Sequence, residues 1–215
     1  AVEPSGPGQN LTAALAETPD SLDLRELQPL GQVRDSFIVA ATPSGLWLID
    51  QHAAHERVLY EKFAFERDHG KVESQRLLLP IVLRLTPAQM SLWSNILDEL
   101  ERAGFEAEPF GQNTIAVKAL PASVRSDDIE KLLNEIIETF ERESRGYTEE
   151  NARQRIAASV ACHSAIKINT PLDEAKMRWL IEALAATKFP MSCAHGRPTV
   201  LRYSLKEILK AFHRI

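Results

Sequence analysis

The sequence predicts an α+β fold in which a central insertion interrupts a first unit that resumes later in the chain. The predicted elements run β, β, α, then β-α-β-β-α, then three helices with a short strand before the last. The 215 residues are 44% apolar, which is enough to fill a core and excludes a wholly disordered chain.

The N-terminal part of the chain predicts a linker followed by a hairpin. Residues 1–20 are rich in Pro, Gly, Ser and Ala without sustained periodicity, as in a flexible linker. Because no initiating Met is present, we expect the chain to begin within a longer protein. Order is predicted from about Leu27. The β-rich runs 32–41 and 45–50 flank the turn signal Thr-Pro-Ser-Gly and predict the hairpin.

A predicted helix over residues 52–68 follows directly, with Asp50 at its N-terminal entrance. The next apolar run, residues 75–85, contains Pro80, which disfavours a central strand position and predicts an edge strand. The Thr-Pro pair at 86–87 then begins a helix. The remaining predicted elements are strands at 105–110, 114–120 and 198–202 and helices at 126–145, 151–168, 173–187 and 204–212.

The composition limits the partners of the chain. There are 30 Asp and Glu against 25 Lys and Arg, and the net charge of −5 opposes tight unspecific binding to a phosphate backbone. Any DNA contact must therefore be local or assisted. Two cysteines, Cys162 and Cys193, are too few for a disulfide scaffold and favour a reducing cytoplasm. No apolar stretch is long enough to span a bilayer, so no membrane partner is expected.

The first cluster of potential metal ligands is Asp50-Gln-His52-Ala-Ala-His55-Glu56, with a further carboxylate at Glu61. A helix places His52 and Glu56 on one face because they are four residues apart, and Asp50 at its entrance can turn toward them. The order of these residues excludes the H-E-x-x-H motif of zinc proteases. The motifs of zinc deaminases, of nucleotide-binding loops and of the nucleophile elbow are also missing.

The second cluster is Cys193-Ala-His195-Gly-Arg197-Pro, in which alternate residues of an extended loop point the same way. Thiolate, imidazole and carboxylate together suit zinc, and a mixed set with an open position also suits manganese. Cys162 could add a second sulfur. A single His or Cys is more often a core or surface residue than a ligand, so the hypothesis depends on both clusters occurring in one chain.

These motifs carry a resemblance to a known family. The string at 50–61 resembles the D-Q-H-A-x-x-E-x-x-x-x-E signature of the MutL C-terminal domain, in the branch with endonuclease activity. Residues 161–163, Ala-Cys-His, are similar to its A-C-[RHK] element, and residues 193–198 resemble its C-P-H-G-R-P element. Ala194 replaces the usual Pro, which removes a φ restraint and leaves both ligands in place. The resemblance covers about residues 27–215.

The resemblance implies a homodimeric endonuclease that nicks DNA in mismatch repair and requires a divalent metal, Zn2+, Mn2+ or both. Carried over by motif position, the implied metal ligands are Asp50, His52, Glu56, Cys193 and His195, with Cys162 adjoining the site. Asp50 and Glu56 are the implied catalytic carboxylates. Arg197 is a candidate for a DNA phosphate contact, and Glu61 for a supporting or structural role.

Residues 75–80, Gln-Arg-Leu-Leu-Leu-Pro, resemble the Q-x-L-[LI]-x-P segment through which bacterial members of this branch dock onto the replication sliding clamp. An extended peptide with a polar anchor and aliphatic side chains can fill an apolar groove. The implied contacts are Gln75, Leu77, Leu78, Leu79 and Pro80. Alternatively, residues 77–85 form an ordinary core strand. A basic stripe near the C-terminus could guide DNA or be a solvated helix face: Arg202, Lys206, Lys210 and Arg214.

The predicted division of the chain follows from the same resemblance. A dimerisation subdomain with the metal site is expected at 21–74 plus 157–215, and an outer regulatory subdomain at 75–156. Further expected partners are DNA and the mismatch-recognition protein MutS, the latter through the full-length protein. The expected location is the bacterial cytoplasm, in association with the nucleoid.

Two other functions stay open from sequence. In the first, the same ligands hold a structural zinc, and the domain serves only dimerisation and partner docking; a closed four-ligand site favours it, whereas an open position favours catalysis. The second is a metal-dependent hydrolase of a small molecule, which only the ligand types favour.

Overall fold

A computed structural model of the chain describes residues 24–70, 72–142 and 148–215, so the predicted linker at 1–20 lies outside the described residues. The strands are β1 (Gln28–Val33), β2 (Phe37–Thr42), β3 (Gly45–Asp50), β4 (Ser74–Arg84), β5 (Glu106–Pro109), β6 (Thr114–Pro121) and β7 (Val200–Ser204). The helices are α1 (Gln51–His69), α2 (Pro87–Arg102), α3 (Ile129–Arg142), α4 (Glu149–Ser164), α5 (Glu174–Ala185) and α6 (Leu205–Ala211). This mixture of segregated sheets and helices confirms the predicted α+β class.

The first sheet has the antiparallel order β1-β2-β3-β7, so its last strand comes from near the C-terminal end of the chain. The hairpin of β2 and β3 was predicted, but the prediction of a single run over 32–41 is wrong. The chain reverses at Arg34 and Asp35, whose φ angles of 51° and 45° form the left-handed turn that joins β1 to β2. Neither residue is Asn or Gly, the usual signal of such a turn, so the sequence gives no warning of the reversal.

The second sheet has the order β4-β6-β5. β4 lies at its edge, as Pro80 predicts. The pairing of β4 with β6 shifts between Arg76 and Ile81: Arg76 faces Ala119, and Ile81 faces Val117. Four residues of β4 therefore stand opposite a single residue of β6, and residues 77–80 arch away from the ladder.

Two hydrophobic cores lie under the two sheets. Beneath the first sheet, Ile38, Trp47 and Ile49 pack with Leu180 and Leu184 of α5. The second core lies between the second sheet and helices α2, α3 and α4, and it includes Trp93, Ile115, Leu133, Ile137 and Val160. Helix α1 contributes to both, through Ala54 to the first and Phe63 to the second. The proposed boundaries of two subdomains stay a prediction.

Most helices begin and end near the predicted residues, and the main difference is at the C-terminus of α4. This helix ends at Ser164, whereas the sequence predicts helix to residue 168; Ala165 is extended, with ψ of 155°. The backbone of Ile166 instead binds two side chains of α1. The last residues of the helix predicted over 126–145 lie outside the described residues, beyond Arg142. Among the helices of the described ranges, none combines the length and apolar character that crossing a membrane requires.

Candidate metal centre

Strand pairing brings the two ligand clusters together. β3 leads directly into α1, and β7 pairs antiparallel with β3, with Val200 opposite Ile49. The backbone N–H of Asp50 extends this pairing by donating to the carbonyl of Thr199 at 2.9 Å. The residues that precede β7 therefore lie beside the first turns of α1, which closes a separation of about 140 residues.

Glu56, Cys193 and His195 form the centre of the site. One possible ligand atom from each, a carboxylate oxygen, the Sγ and an imidazole nitrogen, lies within 4.8 Å of the other two. Glu56 is fully buried, Cys193 is 1% exposed, and the side chain of His195 is 41% exposed. The site is thus closed on the helix side and reachable by solvent along the imidazole.

Two side chains bind the carboxylate of Glu56. His195 Nδ1 donates to Glu56 Oε1, and Arg197 Nη2 donates to Oε2 at 3.0 Å. Burial would raise the pKa of Glu56, but the hydrogen bond from His195 and the charges of His195 and Arg197 outweigh it, so this pKa lies below its usual value. The hydrogen bond to Glu56 raises the pKa of His195 in turn, against the effect of burial. The carboxylate is therefore ionised.

A tight turn carries Cys193 and His195. The N–H of Cys193 donates to the carbonyl of Arg197 at 2.8 Å, and the N–H of Gly196 donates to the carbonyl of Cys193 at 3.0 Å. Gly196 has a φ of 79°, which a residue without Cβ adopts at no steric cost. The N–H of His195 donates to Cys193 Sγ at 3.4 Å, which holds the sulfur within the turn. Ala194 leaves this turn closed in the absence of the family's Pro.

Asp50 and His52 are close in the chain but stand outside the 4.8 Å group. Asp50 caps α1, because its Oδ1 accepts the N–H of His52 at 2.9 Å and of Ala53 at 3.0 Å. His52 Nδ1 is 2.8 Å from the carbonyl of Ile166, which can only accept, so this nitrogen carries the proton. In the neutral ring Nε2 then carries the lone pair that a metal ligand requires. Both side chains line a cleft with Arg34, Ser36, Phe37, Ile168 and Asn169.

Cys162 also lies outside the 4.8 Å group, on α4 and partly buried. Burial raises the pKa of its thiol, and the charges of Glu56 and Glu135 raise it further. The electrostatic effect of Glu56 places Cys162 in the neighbourhood of the site without making it a member of the triad. Its neighbour His163 binds Glu135 through Nε2 at 2.9 Å.

Comparison with known proteins identifies the family. Residues 30–172 match the family model described as the MutL C terminal dimerisation domain, which is most of the chain. The chain belongs to this family. It is 55% identical over 192 residues to the DNA mismatch repair protein MutL of Koribacter versatilis and 56% identical over 192 residues to that of Solibacter usitatus. Identity to the MutL protein of Symbiobacterium thermophilum is 41% over 194 residues.

These alignments cover 89% of the chain in all three cases, but only 30%, 29% and 31% of the three relatives. The chain therefore spans about three tenths of the length of the MutL proteins it matches. The sequence-based resemblance to the MutL family is confirmed, while its endonuclease branch stays a prediction.

The donor set of this MutL-family domain fits a divalent metal. A thiol, an imidazole and a carboxylate within 4.8 Å are the ligand types of zinc sites. Three close protein ligands leave a position for a further donor, as catalytic sites do. The three residues present can therefore hold a metal ion, and the chemistry of the donors does not by itself select Zn2+ or Mn2+.

The sequence arguments missed Arg57, gave His55 no role of its own, and gave Glu61 only a supporting or structural role. His55 accepts the N–H of Ile166 at 2.9 Å and packs edge-on against Trp179; burial, with the charge of His52, lowers its pKa to about 4. Arg57 and Glu61 bind the backbone that leads to Cys193. The spacing of four between Arg57 and Glu61 on a helix is the only sequence signal for this pair.

The predicted clamp-docking residues lie at the arch of β4, far from the centre in the chain. Leu78 is fully exposed and Leu79 is 80% exposed, while Leu77 is half-buried against the second core. Pro80 is exposed, and Gln75 donates to the carbonyl of Val124 at 2.8 Å. The alternative of an ordinary core strand does not describe Leu78 and Leu79.

Proposed function

We propose that this MutL-family domain is a metal-dependent endonuclease that nicks DNA in mismatch repair. The observation that carries the proposal is the convergence of Glu56, Cys193 and His195, from two ends of the chain, on one partly open site. A module that served only to dimerise would not require a buried carboxylate beside a thiol and an imidazole, because even a paired buried charge is seldom more stabilising than a well-packed apolar side chain. Perturbed groups in such a cluster are typical of functional sites.

The residues divide into three roles in this proposal. Glu56, Cys193 and His195 hold the cation, and Asp50, His52 and Cys162 extend the ligand set toward the adjoining cleft. When bound, a divalent cation supplies a Lewis acid that lowers the pKa of water and offsets charge on the scissile phosphate. In this proposal the carboxylates of Asp50 and Glu56 would orient a water molecule and accept its proton. The guanidinium of Arg197 is 58% exposed and can contact a DNA phosphate.

We also propose that the outer face of the first sheet pairs with a second copy of the chain. Side chains alternate across a strand, so the buried residues Ile38, Trp47 and Ile49 leave their neighbours on the opposite face. That face carries cross-strand rows of apolar residues: Val39, Leu48 and Leu201, and Ala41, Leu46 and Tyr203. An exposed apolar sheet face of this kind indicates an interface. The match to a dimerisation domain supports a homodimer.

The arch of β4 supports docking to the replication sliding clamp. Leu78 and Leu79 offer two exposed aliphatic side chains on a segment released from the sheet, which an apolar groove could accept. DNA and, through the full-length protein, MutS are the other proposed partners. With a net charge of −5 the domain has little intrinsic attraction for DNA, so clamp docking would raise its local concentration there.

Nicking of supercoiled plasmid by the dimeric domain, with Mn2+ or Zn2+ and with the clamp added, tests the catalytic proposal. Loss of nicking in Glu56→Lys and Asp50→Asn, with nicking kept in the surface variant Glu66→Gln on the same helix, supports it. Equal nicking in all four proteins refutes the assignment of the site. A double substitution of Leu78 and Leu79 to Ala should abolish the stimulation of nicking by the clamp and leave nicking without the clamp unchanged.

The alternative role as a structural zinc site has one observation in its favour, the almost complete burial of Glu56 and Cys193. Zinc-dependent melting together with absence of nicking, in the presence of the clamp and both metals, would select this alternative.

A further inference from the structure

We infer that Arg57 and Glu61 are positioning residues that fix the Cys193 loop to helix α1 and thereby set the metal affinity of the centre. The inference rests on the proposed function, because it requires Cys193 to bind a metal. Neither residue belongs to the 4.8 Å group, so both act through the loop backbone rather than on the ion itself.

Arg57 binds the loop at two successive carbonyls. Its Nε donates to the carbonyl of Ser192 at 2.5 Å, and its Nη2 donates to the carbonyl of Cys193 at 2.8 Å. Arg57 is 7% exposed, and its guanidinium lies 5.4 Å and 5.9 Å from the ring centroids of Tyr60 and Phe189. A planar fork held between two rings and bonded at two points leaves the Cys193 backbone little freedom.

Glu61 holds the beginning of the same loop. Its carboxylate accepts the backbone N–H of Lys188 at 2.7 Å and of Phe189 at 3.2 Å. It also lies 3.7 Å from Arg57 Nη1, one helical turn away. The two side chains thus form one unit that binds the loop by N–H groups at one end and by carbonyls at the other.

The backbone bonds of the loop join it to the start of β7 rather than to α1: the N–H of Thr199 donates to the carbonyl of Met191 at 3.2 Å, and Ser192 pairs with Pro198. Residues 186–192 lie between α5 and the Cys193 turn, outside regular helix or strand. Within this stretch the bond from the N–H of Ser192 to the carbonyl of Phe189 is long, at 3.4 Å. Hydrogen bonds to charged groups contribute more than neutral ones, so the four from Arg57 and Glu61 fix the loop firmly to α1.

The position of Arg57 in the chain explains why this anchoring matters to the metal. Arg57 directly follows Glu56, so a single turn of α1 carries both a ligand and the anchor of the opposite ligand. The distance between the Glu56 carboxylate and the Cys193 thiolate is then fixed by a rigid helix rather than by a loop. Loss of groups that orient metal ligands typically reduces metal affinity about 10-fold to 100-fold.

The test uses the domain with Arg57→Gln, Arg57→Lys and Glu61→Gln, and Lys62→Gln as the control. Lys62 forms an ion pair with Glu66 on the same helix, also at 3.7 Å and a spacing of four, but on an exposed surface. Co2+ is titrated in competition with a chelator, and the thiolate-to-cobalt charge-transfer band reports the bond to Cys193. In parallel, alkylation of each cysteine by N-ethylmaleimide is quantified by mass spectrometry of separate peptides without added metal.

The expected result is a 10-fold to 100-fold weaker Co2+ affinity and a weaker charge-transfer band in the Arg57 variants, with a smaller loss in Glu61→Gln. Cys193, which is buried, should be alkylated faster in these variants, whereas Cys162 should react at the wild-type rate. Lys62→Gln should match wild type in both assays. If Arg57→Gln fails to fold, Arg57→Lys and Glu61→Gln decide the outcome.

Wild-type values for Co2+ affinity and for Cys193 alkylation in the folded Arg57 and Glu61 variants would overturn the inference. Failure of the proposed function looks different. In that case wild type itself shows no charge-transfer band, while the faster alkylation of Cys193 in the variants still supports the anchoring of the loop.

Discussion

Arg197 donates to Glu56 Oε2 at 3.0 Å, so the fully buried carboxylate at the centre of the site already has a cationic partner. The guanidinium itself is more than half exposed. A metal ion that binds Glu56 through Oε2 must share this oxygen with Arg197 or displace it. A displaced guanidinium would be available to a DNA phosphate. Metal binding at Glu56 and the proposed DNA contact of Arg197 are therefore coupled.

Replacement of Arg197 should therefore affect metal and DNA in opposite directions. Because one partner is largely exposed, we take the competing ion pair to be worth about 0.4–1 kcal/mol, so Arg197→Gln is expected to raise Mn2+ affinity by about 2-fold to 5-fold. The same variant should bind DNA more weakly and reduce the salt slope of binding by about 1. Isothermal titration and salt-dependent fluorescence anisotropy measure the two effects.

The control for Arg197 is Arg178→Gln. Arg178 is similarly exposed and binds Glu174 at 3.1 Å, but it lies on α5 and outside the site. It should leave both quantities at wild-type values. Weaker Mn2+ binding by Arg197→Gln would mean that the guanidinium supports the metal rather than competing with it.

Asp50 combines a structural and a proposed catalytic role, and two substitutions separate them. Asn caps a helix as well as Asp does, so Asp50→Asn should keep the free energy of unfolding within about 0.5 kcal/mol of wild type. Asp50→Ala should lose about 1 kcal/mol, because the N–H groups of His52 and Ala53 lose their acceptor. Both variants should nick plasmid about 10-fold to 100-fold more slowly. Urea unfolding and the plasmid assay give the two readouts.

Asp173 provides the matched control for the cap. It begins α5 in the same way, with its Oδ1 accepting the N–H of Lys176 at 2.8 Å. Asp173→Ala should cost a similar free energy of unfolding and leave nicking unchanged. Wild-type nicking by Asp50→Asn would remove Asp50 from the catalytic residues and leave it as a helix cap.

The sequence could predict what depends on local pattern. The spacing of His52 and Glu56, the cap at Asp50 and the edge position of β4 follow from periodicity and from Pro80, and the structure has all of them. Local pattern could not place the end of α4, because the backbone of Ile166 is bound by residues more than 100 positions away. The same holds for Arg57, because the carbonyls of Ser192 and Cys193 that it binds are also more than 100 positions away.

Disruption of the outer sheet face should separate the protomers. Leu48 lies in the central row of that face, between Val39 and Leu201. Leu48→Glu places a carboxylate in each half of a two-fold interface, so we expect the dimer dissociation constant to rise at least about 100-fold. Sedimentation velocity at micromolar concentration measures this change. The control Leu79→Glu adds the same charge to the exposed arch of β4 and should remain dimeric. An unchanged dimer dissociation constant in Leu48→Glu would place the interface elsewhere.

Gly45 tests whether the pairing of β3 with β7 assembles the metal centre. A Cβ at this position would lie 2.2 Å from the carbonyl oxygen of Tyr203 and 3.0 Å from Cα of Ser204, so the two strands must move apart. Gly45→Ala should lower the free energy of unfolding by about 1–3 kcal/mol, the usual cost of overpacking. Because the strand that moves is continuous with the Cys193 loop, Co2+ affinity should fall as well. In the control Gly70→Ala the nearest atom to the added Cβ is the carbonyl oxygen of Glu66 at 3.8 Å. The free energy of unfolding and the Co2+ affinity should therefore both change less than in Gly45→Ala. A Gly45→Ala protein that loses stability but binds Co2+ like wild type would show that α1 and its anchors hold the centre independently of the sheet.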